Sequence, residues 1–351
     1  MANRDLVVIG GSAGSFPPLR ALLRSFPADL PAAIAVVIHV PHDSIGVLTA
    51  VSPAGCELPV VHVEQGSTID RGVVYVAPPN HHLLVRDGHF VLGNGPRENL
   101  ARPAIDPLFR SAALEWGPRA IGVILSGRLD DGAAGLASIK DAGGAAVVQS
   151  PRDARVSEMP LAALRSTPVD VSADAADLGP AIERLVREPP GAAHTVSDRL
   201  AFEVAIAMGG EIPPEFMKRF TKPQLLTCPD CGGVMSQVES SGPLRFRCRV
   251  GHAMTGGALL SKQEGDVDEA VRVALRIIEE RAELIARMGR EAAEVGRPNM
   301  ADLYERRSLE YHRQAETLRR ALVQIMASDG ESEGNDPAAL EVHGASDDSE
   351  L

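Results

Sequence analysis

The first apolar run of the chain is Leu6, Val7, Val8 and Ile9, closed by Gly10 and Gly11. A run this short and continuous predicts a buried strand. The two glycines predict a tight turn with Ser12 at its apex. Leu19, Leu22 and Leu23 then recur at helical spacing. A second buried strand is expected over 33–40 (AIAVVIHV), with shorter ones over 60–63 and 73–77. Apolar runs at 83–85 and 90–92 bracket Asp87-Gly88, which signals a hairpin. Helices over 105–116 and 133–142 alternate with strands over 120–125 and 145–149. This rhythm predicts a mostly parallel, doubly wound α/β sheet covered on both faces, occupying residues 1–188.

Beyond residue 188 the pattern changes. A Pro/Gly-rich stretch with one short helical piece reads as a linker over 189–224. Residues 225–257 form a compact segment built around cysteines. From Val267 through Val271, Ala274, Ile278, Ile285, Met288, Ala292 and Val295 the apolar residues fall on a 4-3 spacing. Gly296-Arg-Pro-Asn interrupts, and the spacing resumes through Tyr304, Tyr311, Ala315, Leu318, Leu322 and Ile325. That predicts an antiparallel helical hairpin over 262–327. An acidic Gly/Ser-rich tail over 328–351 is expected to be disordered.

Charge sharpens this picture. The net charge is −12, and from Asp329 onward there are eight acidic residues and no Lys or Arg. With no basic cluster, nucleic acid is not an expected partner. The start lacks the apolar segment of a signal peptide and no run is long enough to span a membrane, which points to a cytoplasmic protein without membrane insertion.

The strand–turn–helix at Ser12 suits a nucleophile emerging at the carboxyl edge of a sheet. It equally suits a ligand-binding or merely structural turn, although a dinucleotide fingerprint would need glycines where Ser12 and Ser15 stand. His39 ends the second strand at the same edge, as a base or as a structural histidine. LSGRLDDGAAG (125–135) carries Asp130 and Asp131 into a helix, as helix caps or as the carboxylate that orients an imidazole.

Over residues 5–187 these motifs resemble the catalytic domain of CheB-type chemotaxis protein-glutamate methylesterases. The resemblance rests on IGGSAGS, His39 in IHVP, GVVYVAPPNHHLLV, ARPAIDPLFRSAA and LSGRLDDGAAG. It implies Ser12 as nucleophile, His39 as general base and Asp131 as triad acid, with Ala13 and Arg128 at the oxyanion hole and cleft. It also implies hydrolysis of methyl esters on glutamates of methyl-accepting receptor-like proteins, with glutamine deamidation as the same chemistry, and no cofactor for catalysis. The family usually reads LTGMG where this chain reads LSGRL, so Arg128 and Leu129 replace Met and Gly. The family's N-terminal receiver domain is not expected, because the nucleophile strand begins at residue 6.

Cys228, Cys231, Cys248 and His252 follow a C-x2-C, sixteen-residue, C-x3-H spacing, suited to a closed tetrahedral structural zinc site. A redox Cys-Pro-Asp-Cys dithiol is the competing reading. This segment and the helices after it resemble the C-terminal extension of some receiver-less CheB-like proteins. The C-terminal half is expected mainly to localise the enzyme or form a homo-oligomer through its helices, rather than to restrain it by covering Ser12. Two other functions compete with the esterase: a catalytically weak scaffold docking through the zinc ribbon and hairpin, and a metal hydrolase using His39, His42, His81, His82 and Asp131.

Overall fold

The computed structural model describes residues 3–40, 50–51, 54–239 and 242–332, with side chains to 324. Two compact units divide the chain, residues 1–260 and 261–351.

The first unit is organised by a seven-stranded sheet in the order β3-β4-β2-β1-β7-β8-β9. Its members are β1 (Leu6–Gly11), β2 (Ala33–Ile38), β3 (Val60–His62), β4 (Val74–Val76), β7 (Ala120–Ile124), β8 (Ala145–Gln149) and β9 (Val171–Ala173). Every pairing in it is parallel. The expected doubly wound α/β layering is therefore present. β1 and β2 are buried along their whole length, which is why they read as unbroken apolar runs rather than as alternation. Leu6 and Val8 enter one core and Val7 and Ile9 the other, so the two faces of β1 hold the two helical layers to the sheet.

Successive crossovers leave β1 toward β2 on one side and return to β7 on the other. The strand order reverses at β1, and the carboxyl end of β1 opens into the crevice that such a reversal creates. The predicted hairpin is β5 (His82–Arg86) with β6 (His89–Gly93), turned by Asp87 at φ 48° and Gly88 at φ 77°. Positive φ at both central residues matches the right-handed twist of the strands.

Two local readings change. Gly10 and Gly11 are the last residues of β1, not the turn; the left-handed turn residue is Gly14, at φ 76°. Gly10 serves packing, because a Cβ there would lie 2.3 Å from Cγ2 of Ile105. Within the stretch read as a linker with one short helix, that helix is α6 (Asp198–Ala207), and a second, unexpected one follows, α7 (Pro214–Phe220). Val204 and Ala207 of α6 pack on Leu84 of β5, and Glu203 is fully buried.

The cysteine segment is a four-stranded antiparallel sheet, β10 (Thr221–Thr227), β11 (Val234–Val238), β12 (Arg245–Cys248) and β13 (Ala253–Thr255). Its residues to 260 belong to the first unit.

The predicted hairpin is carried by α8 (Gly256–Glu294), whose residues from 261 on belong to the second unit, and α9 (Pro298–Ser332), turned at Gly296 with φ 73°. Ser308 Oγ donates to the Ala282 carbonyl at 3.0 Å, Arg281 stacks on Tyr311, and Arg319 pairs with Glu279. The helices run longer than the pattern indicates at both ends, and α9 continues through 328–332, where a tail was expected. Residues 333–351 of that tail lie outside the described residues, as does His42.

Candidate active site

Ser12 follows β1 and His39 follows β2. The strands are in register with Gly11 opposite Ile38, so the next residue of each stands at the same sheet edge. The His39 amide donates to the Gly11 carbonyl at 3.1 Å, and the Ser12 amide to the Ser126 carbonyl beyond β7 at 3.0 Å. Three neighbouring strand ends thus converge on one point.

Asp131 reaches it from the loop after β7. Its Oδ2 accepts from His39 Nε2 at 2.6 Å and from the Ile105 amide at 2.6 Å. Its Oδ1 accepts from Asn99 Nδ2 at 2.7 Å and from the Asp106 amide at 3.3 Å. The two amides open α2 (Ile105–Trp116), whose N-cap residue Ala104 has no side-chain acceptor of its own. Asp131 caps that helix from afar, and the positive end of the helix dipole favours its negative charge. Burial would raise the Asp131 pKa, but the His39 hydrogen bond and charge, with the Ile105 and Asn99 donors, hold it below the usual carboxylate range.

Asp106 behaves oppositely. Complete burial and then the charge of Asp131 push it up to about 7. The two N–H groups of Asn99 serve both carboxylates, since the same Nδ2 lies 3.1 Å from Asp106 Oδ2. Asp130, next to Asp131 in the chain, turns elsewhere and accepts from Thr255 Oγ1 at 2.5 Å.

Ser12 is half-buried, and among the described residues its hydroxyl makes no hydrogen bond to His39 or Asp131. The Ala13 amide, next in the chain, also has no intramolecular acceptor among the described residues. Arg128 sits in the facing loop with its guanidinium mostly exposed and 3.8 Å from Glu158; the Leu129 amide donates to Glu158 at 2.7 Å. Leu129 occupies the left-handed region at φ 60°. That costs a non-glycine residue roughly 1–2 kcal/mol. Its side chain packs on the core of the cysteine segment. A cleft of about 450 Å³ opens beside His39, lined in part by Asn80, Arg97, Arg102 and Leu129.

Among the described residues, His39, His81 and His82 do not converge as a metal site. His82 is buried with Nε2 against the Pro96 carbonyl at 2.9 Å, and His81 Nδ1 lies 3.2 Å from the Pro79 carbonyl. Among the described residues, the metal-hydrolase alternative has no ligand group; His42 lies outside them.

Cys228, Cys231, Cys248 and His252 do converge, with all ligand atoms within 4.8 Å of one another. Cys231 and Cys248 sulfurs are 3.6 Å apart, and His252 Nδ1 is 3.8 Å from Cys228 Sγ and 3.6 Å from Cys248 Sγ. A tetrahedron with ordinary zinc bond lengths has edges of about 3.6–3.8 Å between such atoms. Asp230 lies 4.0 Å from the other ring nitrogen of His252, where a carboxylate can fix the ring's orientation.

The sequence matches the CheB methylesterase family model over residues 7–182. The chain belongs to that family. Among relatives of the CheB family, it is 40% identical over 169 residues to a putative protein-glutamate methylesterase/protein-glutamine glutaminase of Leptospira interrogans, covering 48% of this chain and 88% of the relative. It is 37% identical over 186 residues to protein-glutamate methylesterase/protein-glutamine glutaminase 2 of Anaeromyxobacter dehalogenans, covering 53% of this chain and 54% of that one. The CheB methylesterase catalytic domain of Thermotoga maritima is a solved structure similar to it at 29% identity and a TM-score of 0.49, covering 53% of this chain and 100% of that domain. Ser12, His39 and Asp131 all fall inside the CheB match.

Asn99 and Thr255 had no signal in the sequence, and Asp106 had only its place in the ARPAIDPLFRSAA motif. Each matters through a partner far along the chain, and no spacing rule reports such partners.

Proposed function

We propose that the protein is a serine hydrolase that removes methyl esters from glutamate side chains of a methyl-accepting receptor-like protein, and that it deamidates glutamines by the same route. The observation that carries the reading is the 2.6 Å bond between His39 and Asp131 at the strand edge from which Ser12 emerges.

Asp131 engages Nε2 of His39, so Nδ1 is the nitrogen left to act on Ser12. The Ser12 hydroxyl attacks the ester carbonyl as Nδ1 takes its proton. Asp131 stabilises the imidazolium and fixes the tautomer. The Ala13 amide and a second donor at Arg128 stabilise the oxyanion, each worth on the order of 3 kcal/mol. His39 returns the proton to the leaving methoxide, and methanol departs. Water, deprotonated by His39, then attacks the acyl-enzyme and restores Ser12 with a free glutamate. With a glutamine substrate the leaving group is ammonia.

The Cys228–Cys231–Cys248–His252 cluster is assigned a structural zinc, supported by its tetrahedral spacing and by a ligand set with no open position. The zinc stabilises a sheet that has only a small core of its own. Among the described residues no helix is long and apolar enough to cross a membrane, in keeping with a cytoplasmic enzyme. Leu284, Leu303 and Leu309 are exposed on the hairpin, which supports its use in localisation or self-association.

The test is release of methanol from methyl-labelled receptor membranes by the full chain, with Ser12→Ala as comparator. Release by the wild type and loss of about four orders of magnitude or more in the variant is expected. No release by the wild type would favour the scaffold alternative.

A further inference from the structure

The cysteine segment packs beside the residues that surround Asp131. β13 runs alongside residues 97–99 and exchanges backbone hydrogen bonds with them: the Asn99 amide donates to the Ala253 carbonyl at 2.8 Å, and the Ala253 amide to the Arg97 carbonyl at 3.3 Å. Two residues on, Thr255 donates its backbone N–H to Asn99 Oδ1 at 2.9 Å. Glu98 is gripped from both sides, by Arg110 of α2 at 2.6 Å and by Arg247 of β12 at 3.0 Å.

We propose that Asn99 is a positioning residue for the catalytic acid and that the metal-binding segment holds it in its working orientation. The proposal rests on the esterase reading above. Asn99 uses its whole amide: the nitrogen donates to Asp131 and to Asp106, and the oxygen accepts from Thr255. An amide has two nearly isosteric orientations, and the wrong one would aim its oxygen at two carboxylates. The Thr255 donor stabilises the right one, which keeps Asp131 aligned on His39.

The backbone supports the same conclusion. Asn99 and Leu100 are consecutive non-glycine residues in the left-handed region, at φ 48° and 65°. Such a conformation persists where its surroundings over-determine it. Here those surroundings are β13 and the core of the cysteine segment, on which Leu100 packs. The path from metal ligand to triad is therefore short: His252 leads into β13, β13 holds Asn99, and Asn99 holds Asp131. Metal binding that orders the segment also orders the acid.

The experiment combines Asn99→Ala, Cys231→Ser and the double variant in the full chain. It reads turnover of a small methyl ester and the ¹⁵N-NMR titration of His39, with thermal melting to check folding. Asn99→Ala is expected to lower kcat between about tenfold and a hundredfold, the scale of a small misplacement of a catalytic group. KM should stay within about twofold, because no bound substrate group is removed. The His39 titration should move. Cys231→Ser should release the metal, lower kcat and move the His39 titration in the same direction. The double variant should be no worse than Asn99→Ala within about twofold, because both act through one side chain.

An unmoved His39 titration in Cys231→Ser overturns the proposal, even if Asn99→Ala fails to fold. So does a double variant whose losses multiply. If the wild type releases no methanol while the His39 titration still responds to both substitutions, the esterase reading fails and the positioning role stands.

Discussion

Gly127 stands directly against Ser12. A Cβ added at position 127 would lie 3.0 Å from Cβ of Ser12 and 2.0 Å from Sδ of Met159, which is itself buried. There is no room for a methyl group on either side. Gly127→Ala is expected to displace Ser12, lowering ester turnover tenfold or more and costing about 1–3 kcal/mol of stability, the usual range for overpacking. Steady-state kinetics and urea denaturation check both. Turnover within twofold of wild type would mean that the Ser12 turn can shift without consequence.

The two adjacent aspartates give a second prediction. Asp131 accepts four hydrogen bonds, so Asp131→Asn turns an amide NH₂ toward at least one existing donor and leaves His39 without its anion. Asp130 contacts Thr255 instead. Asp131→Asn should lower kcat by about a thousandfold or more, and Asp130→Asn by less than about threefold. Kinetics of both variants on one ester decide; the reverse ranking would move the orienting role to Asp130.

Acid stability follows from the buried charge cluster that joins α2, α6 and the cysteine segment. Burial alone would raise Glu98, but Arg110, Arg247 and Arg245 bring it down to about 2. Glu203 is likewise held below its ordinary range: Arg245, Arg110 and Arg247 outweigh its burial. A depressed carboxylate pKa means the unfolded chain takes up the proton first. The stability is present above about pH 4.5 and is lost as pH falls toward 2, on the order of 3 kcal/mol from Glu98. Asp106, raised to about 7, has the opposite sign, and its contribution declines as pH rises from about 4 to 7. Urea midpoints from pH 7 to 2.5 should show both slopes, and Asp106→Asn should flatten the upper one. Stability constant between pH 5 and 3 would contradict the cluster's charge state.

One zinc per chain is expected in protein purified without chelator, measured by elemental analysis. Cys228→Ser should lose it and make residues 225–257 protease-sensitive. Protein without zinc would leave the Cys3His tetrahedron unexplained.

The boundary between sequence and fold can be drawn at named residues. β1, β2 and β8, the Asp87-Gly88 hairpin and the Cys228–His252 spacing were legible because each is set by periodicity or spacing within a few residues. Ser12, His39 and Asp131 could be singled out because strand ends and Gly-rich turns mark the carboxyl edge of such a sheet. What they touch could not be read. The bond from Thr255 to Asn99 spans 156 residues of chain, and that from Arg247 to Glu98 spans 149. Gly10 looked like a turn residue and proved to be a packing contact for Ile105. The stretch after residue 188 looked like a linker because Pro and Gly dominate it, yet Glu203 within it closes a buried ion cluster. The sequence alone determined the elements and the candidate chemistry, since both are written locally. The tertiary structure decided that the cysteine segment bonds to Asn99 and Asn99 to Asp131, because those contacts depend on which distant surfaces bury one another.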